Sequence, residues 1–127
     1  MTNGIAIANV TLTARDERHL PPGQRPTSDR DIGFADVFVQ LQNTTEQTAT
    51  VIIQSIEIRN AFGGRVQLIS QTPQTVHLHP LENSSLDFHL TNKTGYSRGD
   101  RVKAVIHYQI QDQIQTIESA PVVIERL

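Results

Sequence analysis

The chain has no cysteine. That excludes disulfides, thiolate metal sites and cysteine nucleophiles, and it fits a reducing compartment. No apolar run approaches the roughly 20 residues needed to cross a bilayer. The N-terminal MTNGIAIANVTLTARDER lacks a basic leader and a sustained apolar stretch, so no secretory signal is expected and the chain reads as cytoplasmic. A strong charge of one sign is also missing. A net charge of −2 gives no electrostatic reason to expect nucleic acid or an anionic membrane as partner. A local basic cluster at Lys93, Arg98, Arg101 and Lys103 is interrupted by Asp100. There is no Gly-x-Ser-x-Gly elbow, P-loop, dinucleotide fingerprint or His-Glu-x-x-His pair, so neither an enzyme nor a cofactor is expected.

What the chain does have is a period of two. In ADVFVQL, Ala35, Val37, Val39 and Leu41 share a face. In RVKAVIHYQI, Val102, Ala104, Ile106, Tyr108 and Ile110 share one, and Arg101, Lys103, His107 and Gln109 take the other. Such alternation marks strands with one wet face. TVIIQSIEI is β-branched and more continuously apolar, as a central strand would be. Turn-rich stretches separate these runs: QNTTEQTA, NAFGG, HPLENSS, NKTGYSRGD and QDQ. The expected strands are Ile5 to Leu12, Gly33 to Gln42, Thr50 to Arg59, Arg65 to Ile69, Thr75 to His79, Ser85 to Thr91, Arg101 to Ile110 and Ile114 to Ile124. The first and last change phase, near Ala8–Asn9 and at Pro121, where a bulge or a switch between sheets is expected. At 127 residues this describes one all-β domain, an immunoglobulin-like antiparallel β-sandwich of seven or eight strands. The segment Thr13 to Asp31 is dense in charge and proline. It reads as a long polar loop over residues 13–32, longer than most loops in compact domains.

The order from Phe34 to Leu90 resembles small bacterial immunoglobulin-like or fibronectin-type modules: QLQNTT, then TVIIQSIEIRN, a GG turn, and VHLHPLENSSLDFHL with its proline turn. The C-terminal VIHYQIQDQIQTIESAPVVIERL resembles the end of an ApaG chain. The ApaG glycine motif Gly-x-Gly-x-x-Gly is absent, with FGG the nearest stretch, so no ligand role of that motif carries over. The intracellular proteinase inhibitors of bacilli are similar in architecture, although no inhibitory loop matches. These resemblances imply a fold, and a fold alone does not imply a function.

Several residue groups are candidate sites. Alternation points His77, His79, Asp87 and His89 outward. If the two strands that carry them form a hairpin, His77 faces Asp87 or His89, and the group could hold zinc, copper or nickel. The alternative is a solvated strand face that happens to be rich in histidine. Phe34 and Phe38 lie on the face opposite Ala35, Val37, Val39 and Leu41, where they could anchor a partner or lie under the long loop. Arg98-Gly99-Asp100, Asp29 with Asp31, and the sequons at Asn9, Asn43, Asn83 and Asn92 read as turn and loop chemistry. The expected function is a non-catalytic protein-interaction module. It would bind an unidentified protein through Arg15, Asp16, Glu17, Arg18, Arg25 and Arg30 of the loop with Phe34 and Phe38, or through an open sheet edge, which also allows a homodimer. The alternatives are a surface metal-binding protein using His77, His79, His89 and Asp87, and an intracellular proteinase inhibitor.

Overall fold

A computed structural model describes residues 4–18, 23, 30–97 and 99–127 of the chain. The described residues form ten strands and no helix. They are β1 (Ile5–Asp16), β2 (Gly33–Asn43), β3 (Ala49–Asn60), β4 (Val66–Ser70), β5 (Gln74–Leu78), β6 (Asn83–Asn92), β7 (Arg101–Ile110), β8 (Gln113–Glu118), β9 (Val122–Val123) and β10 (Glu125–Arg126). One sheet has the order β10-β1-β2-β6. The other runs β4-β3-β7-β8, with β5 also on β3 and β9 also on β7. Every ladder is antiparallel except the short one between β1 and β10. This is the expected all-β sandwich, with ten strands where seven or eight were anticipated.

Alternation decides which side chains enter the core. Val37, Val39 and Leu41 of β2 pack in one cluster with Val51, Ile53, Ile56 and Ile58 of β3 and Ile106 of β7. All are nearly inaccessible to solvent, and each contributes about 1.5–3 kcal/mol through burial. The central place of β3 explains its apolar run: β4 and β5 pair in tandem along one side of it and β7 along the other. Tyr96, in the connection from β6 to β7, is also fully buried, and its hydroxyl donates to the Phe34 carbonyl at 2.9 Å. Burial pushes the Tyr96 phenol well above its ordinary pKa.

Both phase breaks take a definite form. The β1–β2 register shifts between Ile7 and Asn9. Inward positions therefore change from Ile5 and Ile7 to Leu12, Ala14 and Asp16. Near Pro121 the chain leaves β8, pairs briefly with β7 as β9, and crosses to the other sheet, where β10 pairs with β1. The expected single strand from Ile114 to Ile124 is thus divided. Two further expectations are corrected. Thr13 to Asp16 belong to β1, so the loop begins later than the charge density suggests. The strands β5 and β6 lie in different sheets, on β3 and β2 respectively, and form no hairpin.

Candidate functional site

The four-stranded sheet turns an ordered grid of side chains outward. Cross-strand pairing aligns Thr11, Phe38 and Asp87 in one row, Thr13, Asp36 and His89 in the next, and Arg15, Phe34 and Thr91 in the third. The Arg15 guanidinium lies over the Phe34 ring, 4.3 Å from its centroid, a cation–π arrangement. It is also ion-paired with Glu17, and Nη1 is 3.9 Å from Asp36 Oδ2. His89 Nδ1 contacts Asp36 Oδ1, and Nε2 is 3.4 Å from Asp87 Oδ2. The hydrogen bond to Asp36 and the charge of Asp87 raise the imidazole pKa above its ordinary value. Phe38 is 43% exposed, unusual for a phenylalanine on a strand face without a partner.

This surface ends at an open edge. Among the described residues β6 pairs only with β2. The Asn43 amide donates to the Glu82 carbonyl and the Ile32 amide to that of Asn92. Backbone groups alternate sides along a strand, so the even-numbered residues of β6 bond to β2. The N–H and C=O groups of Asn83, Ser85, Asp87, His89 and Thr91 therefore face away from the sheet. Beneath this edge the inward side chains Leu86 and Phe88 are only half-buried, as is Val76 of β5. The sandwich is open along that flank.

The candidate loop residues divide. Arg15, Phe34 and Phe38 share the outer face. Asp16 points inward and is 2% exposed, so it cannot be a recognition residue. Its carboxylate accepts from the Tyr96 amide (3.0 Å), Arg18 Nη2 (3.2 Å) and Arg126 Nη1 (3.4 Å). Burial alone would raise its pKa, but the Tyr96 amide and the two arginines outweigh burial and hold it below the ordinary carboxylate value. Arg18 also donates to the Thr94 and Tyr96 carbonyls. Arg30 donates to the Glu17 and Arg18 carbonyls at 2.6 and 2.7 Å, and the Glu17 amide bonds to the Ile32 carbonyl. Arg18 and Arg30 therefore brace the base of the loop. Arg25 and most of the loop lie outside the described residues.

The four-residue metal group is not brought together. His77 sits on β5 in the other sheet, with Nδ1 3.2 Å from Thr50 Oγ1. His79 follows β5, and its backbone amide donates to Glu82 Oε1. Only Asp87 and His89 of the four are neighbours, and they are joined by Asp36, which alternation along β2 placed outward without naming it as a ligand.

A second set escaped the sequence altogether. On the outer face of the other sheet, His107 Nε2 is 3.0 Å from Glu57 Oε1 and Nδ1 is 3.1 Å from Thr116 Oγ1. Arg59 donates to both Glu57 oxygens. The His107 hydrogen bond is the largest influence on Glu57, and with Arg59 it lowers the carboxyl pKa against the opposing effect of burial. The signal lay in strand register, which pairs His107 with Thr116. A cleft lies elsewhere. It has a volume of about 600 Å³ between the β3–β4 turn and the chain entering β7, and it is lined by Asn60, Phe62, Asp100, Arg101 and Pro121 among others. Phe62, at its rim, is 96% exposed.

No family model matches the chain, and no curated protein matches it in sequence. Solved structures similar in fold include the following two. A Bordetella pertussis protein provisionally named ApaA is 18% identical, with 96% of this chain and 93% of that chain covered and a TM-score of 0.50. Structural genomics target SoR45 is 12% identical, with 97% and 87% covered and a TM-score of 0.52. At such identities the likeness shows a shared all-β fold and nothing finer.

Proposed function

We propose that this chain is a non-catalytic protein-interaction module that binds its partner by strand addition at β6. The observation that carries this reading is the edge itself. Ten residues (Asn83–Asn92) form a strand that, among the described residues, is bonded on one side, with outward backbone groups above half-buried Leu86 and Phe88. An added strand would satisfy the backbone groups and cover the apolar side chains together. The outward grid next to the edge, with Phe38 exposed and Arg15 set over Phe34, supplies side-chain contacts for specificity. The His107–Glu57 chain lies on an open sheet face and not in a cleft, which favours a binding role over catalysis. The absence of cysteine favours the cytoplasm. The fold-level likeness to the protein provisionally named ApaA is compatible with a non-catalytic module.

A proline at Ser85 tests it. That residue's N–H faces solvent, so the change blocks strand addition and spares the internal ladder. Wild type and Ser85→Pro are compared in affinity capture from a lysate, with circular dichroism checking the fold and sedimentation checking self-association. A partner, or a dimer, present with wild type and lost with Ser85→Pro is the expected result. Equal capture by both folded proteins refutes strand addition at β6.

A further inference from the structure

Asp36, Asp87 and His89 each bring one potential ligand atom within 4.8 Å of the other two. The fold builds this trio directly. Asp36 stands opposite His89 across the β2–β6 ladder, and Asp87 precedes His89 by two positions on β6. Cross-strand partners and i, i+2 neighbours share a face, so all three side chains rise from one patch of a hydrogen-bonded sheet.

We propose that this patch binds a divalent transition-metal ion of the zinc or copper type, through one ring nitrogen of His89 and one carboxylate oxygen each from Asp36 and Asp87. The donor set selects the ion: an imidazole favours zinc and copper over magnesium and calcium. Two carboxylates balance the dipositive charge. Ligand atoms of a tetrahedral site with bonds of about 2.0–2.1 Å are about 3.4 Å apart, and His89 Nε2 and Asp87 Oδ2 stand 3.4 Å apart. Asp36 contacts the other ring nitrogen, Nδ1, so the His89 ring or the Asp36 side chain must turn for both carboxylates to meet the ion at one ring nitrogen. Phe34 and Phe38 lie on either side of Asp36 along β2. Three protein ligands leave further positions facing solvent beside the β6 edge.

Arg15 opposes the ion. Its Nη1 is 3.9 Å from Asp36 Oδ2, and its charge repels a cation at short range. This gives the site a variant expected to improve it. His77 on β5 and His79 in the turn after it lie outside the trio, which separates this trio from a general attraction of metal to histidine.

The test is a Zn²⁺ titration of the full chain by calorimetry, with the imidazole ¹⁵N resonances followed by NMR. His89→Ala and Asp36→Asn should each weaken Zn²⁺ binding by about tenfold or more. The His77→Ala/His79→Ala double variant should bind as wild type does, and Arg15→Ala should bind more tightly. His89 should be the ring that shifts. These side chains are exposed or half-exposed, so the variants should fold. No saturable uptake, uptake that survives His89→Ala, or uptake lost only in the double variant would each overturn the proposal. None of these outcomes bears on strand addition, because Ser85→Pro leaves all three ligands in place.

Discussion

Replacing Asp16 by alanine should destabilise the fold by about 3 kcal/mol. The magnitude follows from what the carboxylate touches. The buried Tyr96 amide would lose its acceptor, at a cost of about 1–3 kcal/mol. The contacts to Arg18 and Arg126 span 3.2 and 3.4 Å, and those arginine side chains are 53% and 44% exposed. Solvent screens such pairs to about 0.5 kcal/mol each. Asn in place of Asp keeps an acceptor for the amide and loses the charge, so Asp16→Asn should cost about 1 kcal/mol. The two variants also differ in how acid affects the comparison. The folded-state pKa of Asp16 is depressed, so the stability it confers is complete above the unfolded-state value and is lost as pH falls through the folded one. The gap between wild type and Asp16→Asn should therefore close as pH falls below the ordinary carboxylate range and through the lower folded-state value. Urea unfolding followed by circular dichroism at several pH values measures both quantities. A cost for Asp16→Ala below about 0.5 kcal/mol at neutral pH, or a wild-type-to-Asn gap that stays constant into acid, would refute the reasoning.

Gly95 has φ 75°, and a Cβ there would lie 2.6 Å from Arg18 Nη2 and 2.7 Å from Asp16 Oδ2. Gly95→Ala should cost about 2 kcal/mol or more, against about 1 kcal/mol for Gly63→Ala, where φ is 80° and nothing lies within 4 Å; equal costs in thermal or urea unfolding would mean that the Asp16–Arg18 contact is not held as described. Leu78→Ala, at a fully buried site, should cost about 2–5 kcal/mol. Leu86→Ala on the open flank should cost distinctly less, and parity between the two would show that the β6 flank is covered in solution.

The sequence exposed the inward faces of β2 and β7 because an apolar residue recurs at every second position there, even though Phe34, Phe38 and Val105 interrupt the polar faces. It also marked both phase breaks, which became the β1 bulge and the crossing from β9 to β10. The end of β1 was hidden by its chemistry. Its last inward positions are Leu12, Ala14 and Asp16, and a buried aspartate breaks the pattern that identifies a strand. The candidate site was half visible. Outward placement of Asp87 and His89 follows from alternation, but their partner depends on which strand lies beside β6. Local sequence suggested β5; the turn from His79 to Glu82 instead carries the chain between sheets. Asp36, some 50 residues earlier by sequence distance, took that place. The His107–Glu57–Thr116 set was missed for the same reason, since only register across β3, β7 and β8 assembles it.

The crossing from β9 to β10 has a consequence for how the protein is made. β10 pairs with β1, so the first of the described strands is joined by the last of them. Until residue 126 clears the ribosome, the earlier strands can pair but β1 keeps the edge that β10 later covers unpaired. Contacts this distant in sequence also slow folding. During that interval the apolar faces of β2 and β3 are shielded only by incomplete partners, so a nascent chain stalled near Pro121 should be far more prone to capture by chaperones than the finished domain.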